Sequence, residues 1–286
     1  MTVASVFFSI IAFAMNSVPE DESRQHRYAE KLFELGNYQA ARRAYKRLLF
    51  YHRDTQLRDV ADYRIAQSYY HQNRPEQAES LFREFSATHP NSPLRFQSLL
   101  MLGQLHFEAE KYSLARTVLF ELLHTSEDVE IVAAAHYLRG WCYIHTSDWN
   151  KAITEFRQVN TPKTDVLQKE SARQLADTLL NETPLPFKSS ETAGWLSTII
   201  PGSGQLYVGK VKEGLLAAAA SGTFIYLVAD AVRERRYIDC AGISLVGLSF
   251  YWGNRTNAQR LASEYNTQHE REFIETLKRQ ADGISP

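Results

Sequence analysis

Residues Gly204-Gln205-Leu206-Tyr207-Val208-Gly209-Lys210-Val211 come within one position of the phosphate-binding loop G-x-x-x-x-G-K-[ST]. In that loop backbone amides and a lysine hold the phosphates of a nucleotide, and a hydroxyl holds Mg²⁺. The context argues against this chemistry. No strand-forming run leads into Gly204, Val211 stands where the hydroxyl is needed, and a long apolar segment follows. The shorter G-x-G-x-x-G pattern fails because Tyr207 occupies its third glycine position. Ser203 sits as in a nucleophile elbow, but Pro201 takes the place of the first glycine and no strand–turn–helix surrounds it. Nine histidines invite a search for a metal site, yet no H-x-H or H-x-x-x-H pair occurs. His136 and His145, the closest two, lack a matching cysteine or acidic partner. A net charge of −1 gives no footprint for nucleic acid. The residues thus predict no catalytic centre, cofactor, metal, nucleotide or nucleic acid.

What must be positioned becomes visible in the periodicity. Tyr38, Pro75, Tyr112 and Trp149 stand 37 residues apart, and Ala41, Ala78, Ala115 and Ala152 keep the same step, as do Tyr45, Phe82, Leu119 and Phe156. Upstream of each set runs a second helical stretch with a small residue in register, at Ala29, Ala66, Gly103 and Gly140. Two helices per unit, crossing at a small residue and stacking on the next unit, describe an α-solenoid. Asp165 to Leu180 carries Val166, Ala172, Leu175, Ala176 and Leu179 on one stripe, the cap an open solenoid needs.

At these residues the chain resembles the tetratricopeptide repeat family, with Pro75 in one aromatic slot and a unit about three residues longer than the usual 34. The lengthened form with its His89-Pro90-Asn91-Ser92-Pro93 turn is similar to periplasmic repeat proteins of Gram-negative envelopes. The resemblance implies non-enzymatic recruitment of a protein or peptide in a concave groove. Its helix-A positions bring Phe33, Tyr63, Gln67, Tyr70, Gln104, Phe107, Tyr137, Trp141 and His145 to that surface. An aromatic groove with few positive charges suits an apolar helix or an extended peptide. The same aromatics at helical spacing also fit an interhelical core.

Beyond a linker at 181–193, the chain turns apolar. Gly214 to Val232 is about 19 residues long and free of charge except for Asp230, and Tyr237 to Trp252 forms a shorter apolar stretch. Together they predict a transmembrane hairpin within 194–254, followed by a polar helix or tail at 255–286. Trp195 to Ile200 suits an interfacial helix, and Pro201-Gly202-Ser203-Gly204 breaks it so that the chain re-enters the membrane. Small residues on both spans, Gly214, Ala218 and Gly222 on the first and Cys240, Ser244 and Gly247 on the second, predict close packing. The turn carries Arg233, Arg235 and Arg236, which predicts a cytoplasmic side, although Lys210 and Lys212 pull the other way. This segment resembles uncharacterised bacterial membrane hairpins of the TM2 style. The resemblance rests on Pro201, Gly202, Gly204, Gln205, Tyr207 and Gly209 before the first span, and on Tyr251, Gly253, Asn254, Ala262, Tyr265 and Asn266 after the second.

The apolar run Val3 to Met15 with Ala12-Phe13-Ala14 predicts a signal peptide or N-terminal anchor over residues 1–14, although its start lacks Lys and Arg. Cys142 and Cys240 fall in regions of different character and predict buried thiols rather than a disulfide. The sequence thus predicts an all-α protein with a tetratricopeptide-type solenoid of four repeats and a cap over 22–180, then a C-terminal hairpin. It predicts a solenoid in the periplasm, anchored to the lipid of the inner membrane, that gathers partners for envelope or membrane-protein biogenesis. An alternative is a hairpin that itself acts on lipid or on inserting proteins.

Overall fold

The computed structural model describes residues 19–159 and 166–281; the N-terminal export segment expected at 1–14 lies outside them. All regular structure among these residues is helical. In chain order the helices are α1 (Glu20–Glu34), α2 (Tyr38–Tyr51), α3 (Arg58–Tyr70), α4 (Pro75–Thr88), α5 (Arg95–Glu108), α6 (Tyr112–Thr125), α7 (Val129–Ile144) and α8 (Trp149–Gln158). They continue as α9 (Val166–Glu182), α10 (Ser190–Ile199), α11 (Ser203–Tyr207), α12 (Val211–Arg233) and α13 (Tyr237–Gln280). The chain divides into two compact units: one runs to Thr183 and takes up Leu277 onward, the other is Pro184–Thr276.

In the first unit each helix from α1 to α8 packs on the next. The small residues of the 37-residue step explain how. Ala29, Ala41, Ala66, Ala78, Ala115 and Ala152 are all fully buried where helices cross. At Gly140 even a methyl group is excluded, because a Cβ would stand 2.7 Å from the Phe156 ring. The large partners Tyr45, Phe82, Leu119 and Phe156 fill the space between helices and are themselves buried. Cores around them pass from one repeat to the next. Helix α9 buries Ala172, Leu175, Ala176 and Leu179 and packs on α8, covering the last interface. The final turn of α13 belongs here too: Leu277 is fully buried, and Thr178 Oγ1 donates to Gln280 Oε1 at 3.1 Å.

The turn inside each repeat follows one plan. Gly36, Asn73, Glu110 and Ser147, again 37 residues apart, all adopt positive φ, at 74°, 55°, 58° and 58°. The amide after each reaches back to a carbonyl five residues earlier, as in Asn37 N to Leu32 O (2.9 Å) and Lys111 N to His106 O (2.8 Å). This arrangement satisfies helix-end carbonyls, and it favours glycine, which has no Cβ to clash. Only the first repeat supplies one.

In the second unit α12 and the start of α13 correspond to the two expected spans. Among the described residues, α12 is the one helix long and apolar enough to cross a membrane. The second apolar stretch is shorter and is not a separate element: it opens the 44-residue helix α13, which runs through 254–255 without a break. The linker is also shorter than expected, since α9 extends to Glu182 and α10 starts at Ser190. On α12 the buried small residues are Gly214, Ala217, Ser221 and Ala231, while Ala218 and Gly222 are exposed. Successive steps of four residues drift around a helix of 3.6 residues per turn, whereas steps of three and four hold one face. Cys142 is buried as expected and Cys240 is partly exposed; neither forms a disulfide.

Replacing Glu110 by glycine removes the cost of holding a side chain in the left-handed region, about 1–2 kcal/mol, against about 1 kcal/mol of extra backbone entropy. Glu110→Gly is therefore expected to raise the urea unfolding midpoint of the repeat unit, by up to about 1 kcal/mol in stability; a lower midpoint contradicts the turn geometry.

Candidate functional site

The nine residues expected in the groove separate into two groups. Tyr63, Tyr137 and Trp141 are 4%, 2% and 1% exposed, so they belong to the interior and not to an open surface. Tyr63 packs against Phe82 and Phe85 at 5.8 Å, and Tyr137 and Trp141 pack against Phe156 at 5.6 and 6.3 Å. Their place on the first helix of each pair turns them toward the second helix of the same pair. Tyr137 also brings its hydroxyl to 3.2 Å from Ser171 Oγ on α9.

Phe33, Gln67, Tyr70, Gln104, Phe107 and His145 stay partly accessible. Tyr70 donates to Glu108 Oε1 at 2.5 Å, and Gln104 Nε2 donates to the same oxygen at 3.1 Å, tying adjacent repeats. Gln67 accepts from Arg64 at 2.9 Å. Arg64 in turn holds both oxygens of Glu30, at 2.9 and 2.8 Å, and lies 4.5 Å above the Phe33 ring. The Tyr45 hydroxyl donates to Glu30 as well. Arg64 thus acts as a spent charge that shapes the surface.

Two further groups, not assembled from the sequence, stand on this face. Tyr38 stacks on His71 with centroids 4.8 Å apart, and Phe33 meets both rings edge-on at 5.2 and 5.7 Å. Tyr112 stacks on His145 at 4.8 Å, and Phe107 meets both at 5.6 and 5.5 Å. Each residue of the second triad lies 74 positions after its counterpart, two repeat steps on. Beside each triad an arginine repeats the match. Arg42 lies 4.0 Å over Tyr69 and donates to Gln72, and Arg116 lies 4.9 Å over Tyr143 and donates to Thr146. The signal for this was a period of 74 within the period of 37.

The motif residues of the second unit come together across the chain, and one of them, Asn266, reaches the backbone of a residue 78 positions away. Gln205 is fully buried; its Nε2 donates to Asn254 Oδ1 at 2.5 Å, and its Oε1 accepts from Ser197 Oγ at 2.9 Å. Ser197 Oγ accepts from Gly204 N at 3.1 Å. Gly204 lies so close to α10 that a Cβ would overlap the Ala193 carbonyl oxygen, and Gly202, at φ 92°, lies equally close to the Gly214 carbonyl. Asn266 pairs both its amide groups with the backbone of Lys188, at 2.7 and 2.9 Å. The Tyr207 hydroxyl accepts from Ser189 N at 3.3 Å, and Tyr251 donates to the Thr198 carbonyl. Tyr207 and Tyr265 flank a small core of Ala193, Val208, Ala258, Leu261 and Ala262. Pro201 is partly buried beside these groups, while Gly209 and Gly253 are exposed.

This geometry describes a polar lock, not an anion cradle. The amides of Gly204, Leu206, Val208, Gly209 and Lys210 are each spent on a partner within the unit. Ser203 Oγ donates to Ile200 O at 2.8 Å. Lys210 is exposed at the start of α12.

Two outcomes follow. In Gly204→Val the full chain should lose most of its monodisperse yield in detergent, whereas Lys210→Ala should match the unsubstituted protein; saturable ATP binding lost on Lys210→Ala contradicts the lock. In the repeat unit, burial lowers the pKa of His26, His71, His106 and His145 below the ordinary 6.5. The unfolded chain takes up these protons first, so stability is complete above about pH 6.5 and falls as the pH drops through the folded values. Urea midpoints should therefore decrease from about pH 7 toward about pH 5.5; a flat profile counts against neutral, packed histidines.

The tetratricopeptide repeat family model matches residues 29–93, 63–127 and 100–163. No curated protein matches the chain. Among solved structures, a tetratricopeptide repeat protein from Parabacteroides merdae is similar at 13% identity and a TM-score of 0.45, over 86% of this chain and 100% of that one. MamA from Desulfovibrio magneticus is similar at 15% identity and a TM-score of 0.41, over 71% and 94%. A Rap protein complexed with competence and sporulation factor is similar at 14% identity and 0.40, over 97% and 81%. The family-model match falls on the 37-residue helix pairs, and those pairs form a solenoid of the tetratricopeptide type.

Proposed function

We propose that this protein is a membrane-tethered tetratricopeptide scaffold that recruits protein partners on the periplasmic side of the inner membrane, in envelope or membrane-protein biogenesis. The observation that carries the tether is α12. Its 23 residues are about 35 Å long, enough for a hydrocarbon core of about 30 Å, and only 17% of its most apolar window is buried. Large apolar side chains stand exposed on α12 and on the start of α13, among them Leu216, Ile225, Tyr226, Ile238 and Leu245. Such surface is costly in water and at home in lipid. The orientation rests on the Arg-rich turn between the two helices. There Arg236 pairs with Asp230 and Asp239 at 2.7 and 3.2 Å, while Arg233 and Arg235 are exposed.

For recruitment, the accessible groove residues Phe33, Gln67, Tyr70, Gln104, Phe107 and His145 are the surface we assign. The two like Phe–Tyr–His triads suit an extended partner with two similar apolar anchors, a mode in which a few aromatic contacts carry most of the binding energy.

Membrane-impermeant thiol labelling of spheroplasts tests the arrangement. In a Cys240→Ser background, Cys142 is silent, because burial pushes its thiol pKa up to about 12. Ser126→Cys and Ser263→Cys should label and Arg235→Cys should not. Labelling of Arg235→Cys alone puts the repeats in the cytoplasm.

A further inference from the structure

Between α12 and α13, next to the end of α10, lies a cleft of about 780 Å³. Its walls include Phe224, Ile225, Val228, Ile243, Leu248 and Tyr251. Three features set it apart from an ordinary gap between helices. First, Ser221 lines it at 9% exposure, and its Oγ has no hydrogen-bond partner. A buried hydroxyl left unpaired costs about 1–3 kcal/mol and points to an acceptor that completes it. Second, Arg255 stands one helical turn beyond Tyr251. Its guanidinium lies 5.2 Å from the Trp195 ring and 5.7 Å from the Trp252 ring, and among the described residues it pairs with no carboxylate. Stacking occupies the faces of the guanidinium and leaves its N–H edge free for a phosphate. Third, both tryptophans are more than half exposed, as amphipathic rings at a membrane surface are.

These features are ordered by depth. Phe224 meets Gly247 and Phe250, which places Ser221 near the level of Tyr251. From Arg255 to Ile243 α13 rises about 18 Å, close to the thickness of one leaflet of hydrocarbon. A charge-binding head, a hydrogen-bonding level and an apolar channel follow in the order of phosphate, ester carbonyl and acyl chain. A partner's helix fits less well: the shared wall of α12 and α13 is only about 12 Å long, little more than two helical turns, and it mixes the small Ser221, Ser244 and Gly247 with the bulky Phe224, Leu248 and Tyr251.

We propose that this cleft holds one acyl chain of an anionic glycerophospholipid, with the phosphate on Arg255 and an ester carbonyl at Ser221. The site rests on the membrane reading above and gives the hairpin a specific lipid partner.

The test uses the full chain in vesicles of equal phosphatidylglycerol and phosphatidylcholine, extracted in mild detergent and weighed intact by native mass spectrometry. The unsubstituted protein should retain phosphatidylglycerol over phosphatidylcholine. Arg255→Gln should reduce that preference about fivefold, the worth of one basic residue near the surface, and Arg255→Lys should keep most of it. Ser244→Phe and Ala229→Leu, which fill the cleft, should reduce retained lipid of either kind. If the protein resists carbonate extraction but retains no lipid, or retains both lipids equally, the site is wrong and the tether stands. Unchanged retention in both cleft-filling variants overturns it too. Release of the unsubstituted protein by carbonate overturns the tether and the site with it.

Discussion

Helices in both units approach one another more closely than a side chain allows, and the rest of the structure follows from where that closeness is placed. In the repeats it falls at Gly140 against Phe156 and at the buried alanines of the 37-residue step. In the second unit it falls at Gly204 against the Ala193 carbonyl. The two uses differ in what the contact brings. Between repeats a small residue lets a large apolar neighbour interdigitate, so each crossing adds buried area to a core that continues into the next pair. Around Gly204 the contact is backbone on backbone. It carries the Gly204 amide to Ser197, and through Ser197 to Gln205 and Asn254.

What the sequence made legible has a physical pattern. Repeats were visible because each crossing demands the same residue type at the same step, a demand written into every unit. The positive-φ turns were hidden although they share that step, because only Gly36 carries the expected residue and Asn73, Glu110 and Ser147 do not. Tyr63, Tyr137 and Trp141 lay on the right helices, but a position alone does not say whether an aromatic faces the neighbouring helix or the open side. Core packing won at all three. In the second unit the motif residues were visible and their pairing was not. Gln205 and Asn254 are 49 positions apart, and a hydrogen bond at that separation has no local signature.

A second periodicity sits on the first. Phe33, Tyr38, Arg42 and His71 recur as Phe107, Tyr112, Arg116 and His145, while the intervening step places Tyr70, Pro75, Glu79 and Glu108 there. The solenoid therefore alternates. Two repeat boundaries carry a stacked tyrosine and imidazole, and the boundary between them carries a tyrosine hydroxyl bound to a carboxylate. Packing alone asks for no such alternation, since all four crossings are alike in the core. The difference lies at positions that stay partly accessible, such as Phe33, Tyr70 and Phe107.

The polar lock and the apolar cleft depend on opposite properties of one region. Gln205, Ser197 and Asn254 are buried; Gln205 bonds through both ends of its amide, to Ser197 and to Asn254, while Asn254 accepts at Oδ1 and its Nδ2 has no partner. Such a network is rigid where an apolar contact would slide. It joins α10, α11 and α13 at Ser197, Gln205 and Asn254, and Asn254 lies between Tyr251 at the cleft and Arg255 beyond it. A hairpin held only by apolar packing in lipid has no hydrophobic force to keep its helices at a set spacing, because lipid tails compete equally for the same surface. For the hairpin proposed above, the hydrogen bonds of Ser197, Gln205 and Asn254 fix α10 and α11 against α13 at one end, and the close approach of Gly202 to the Gly214 carbonyl seats α12 on α11.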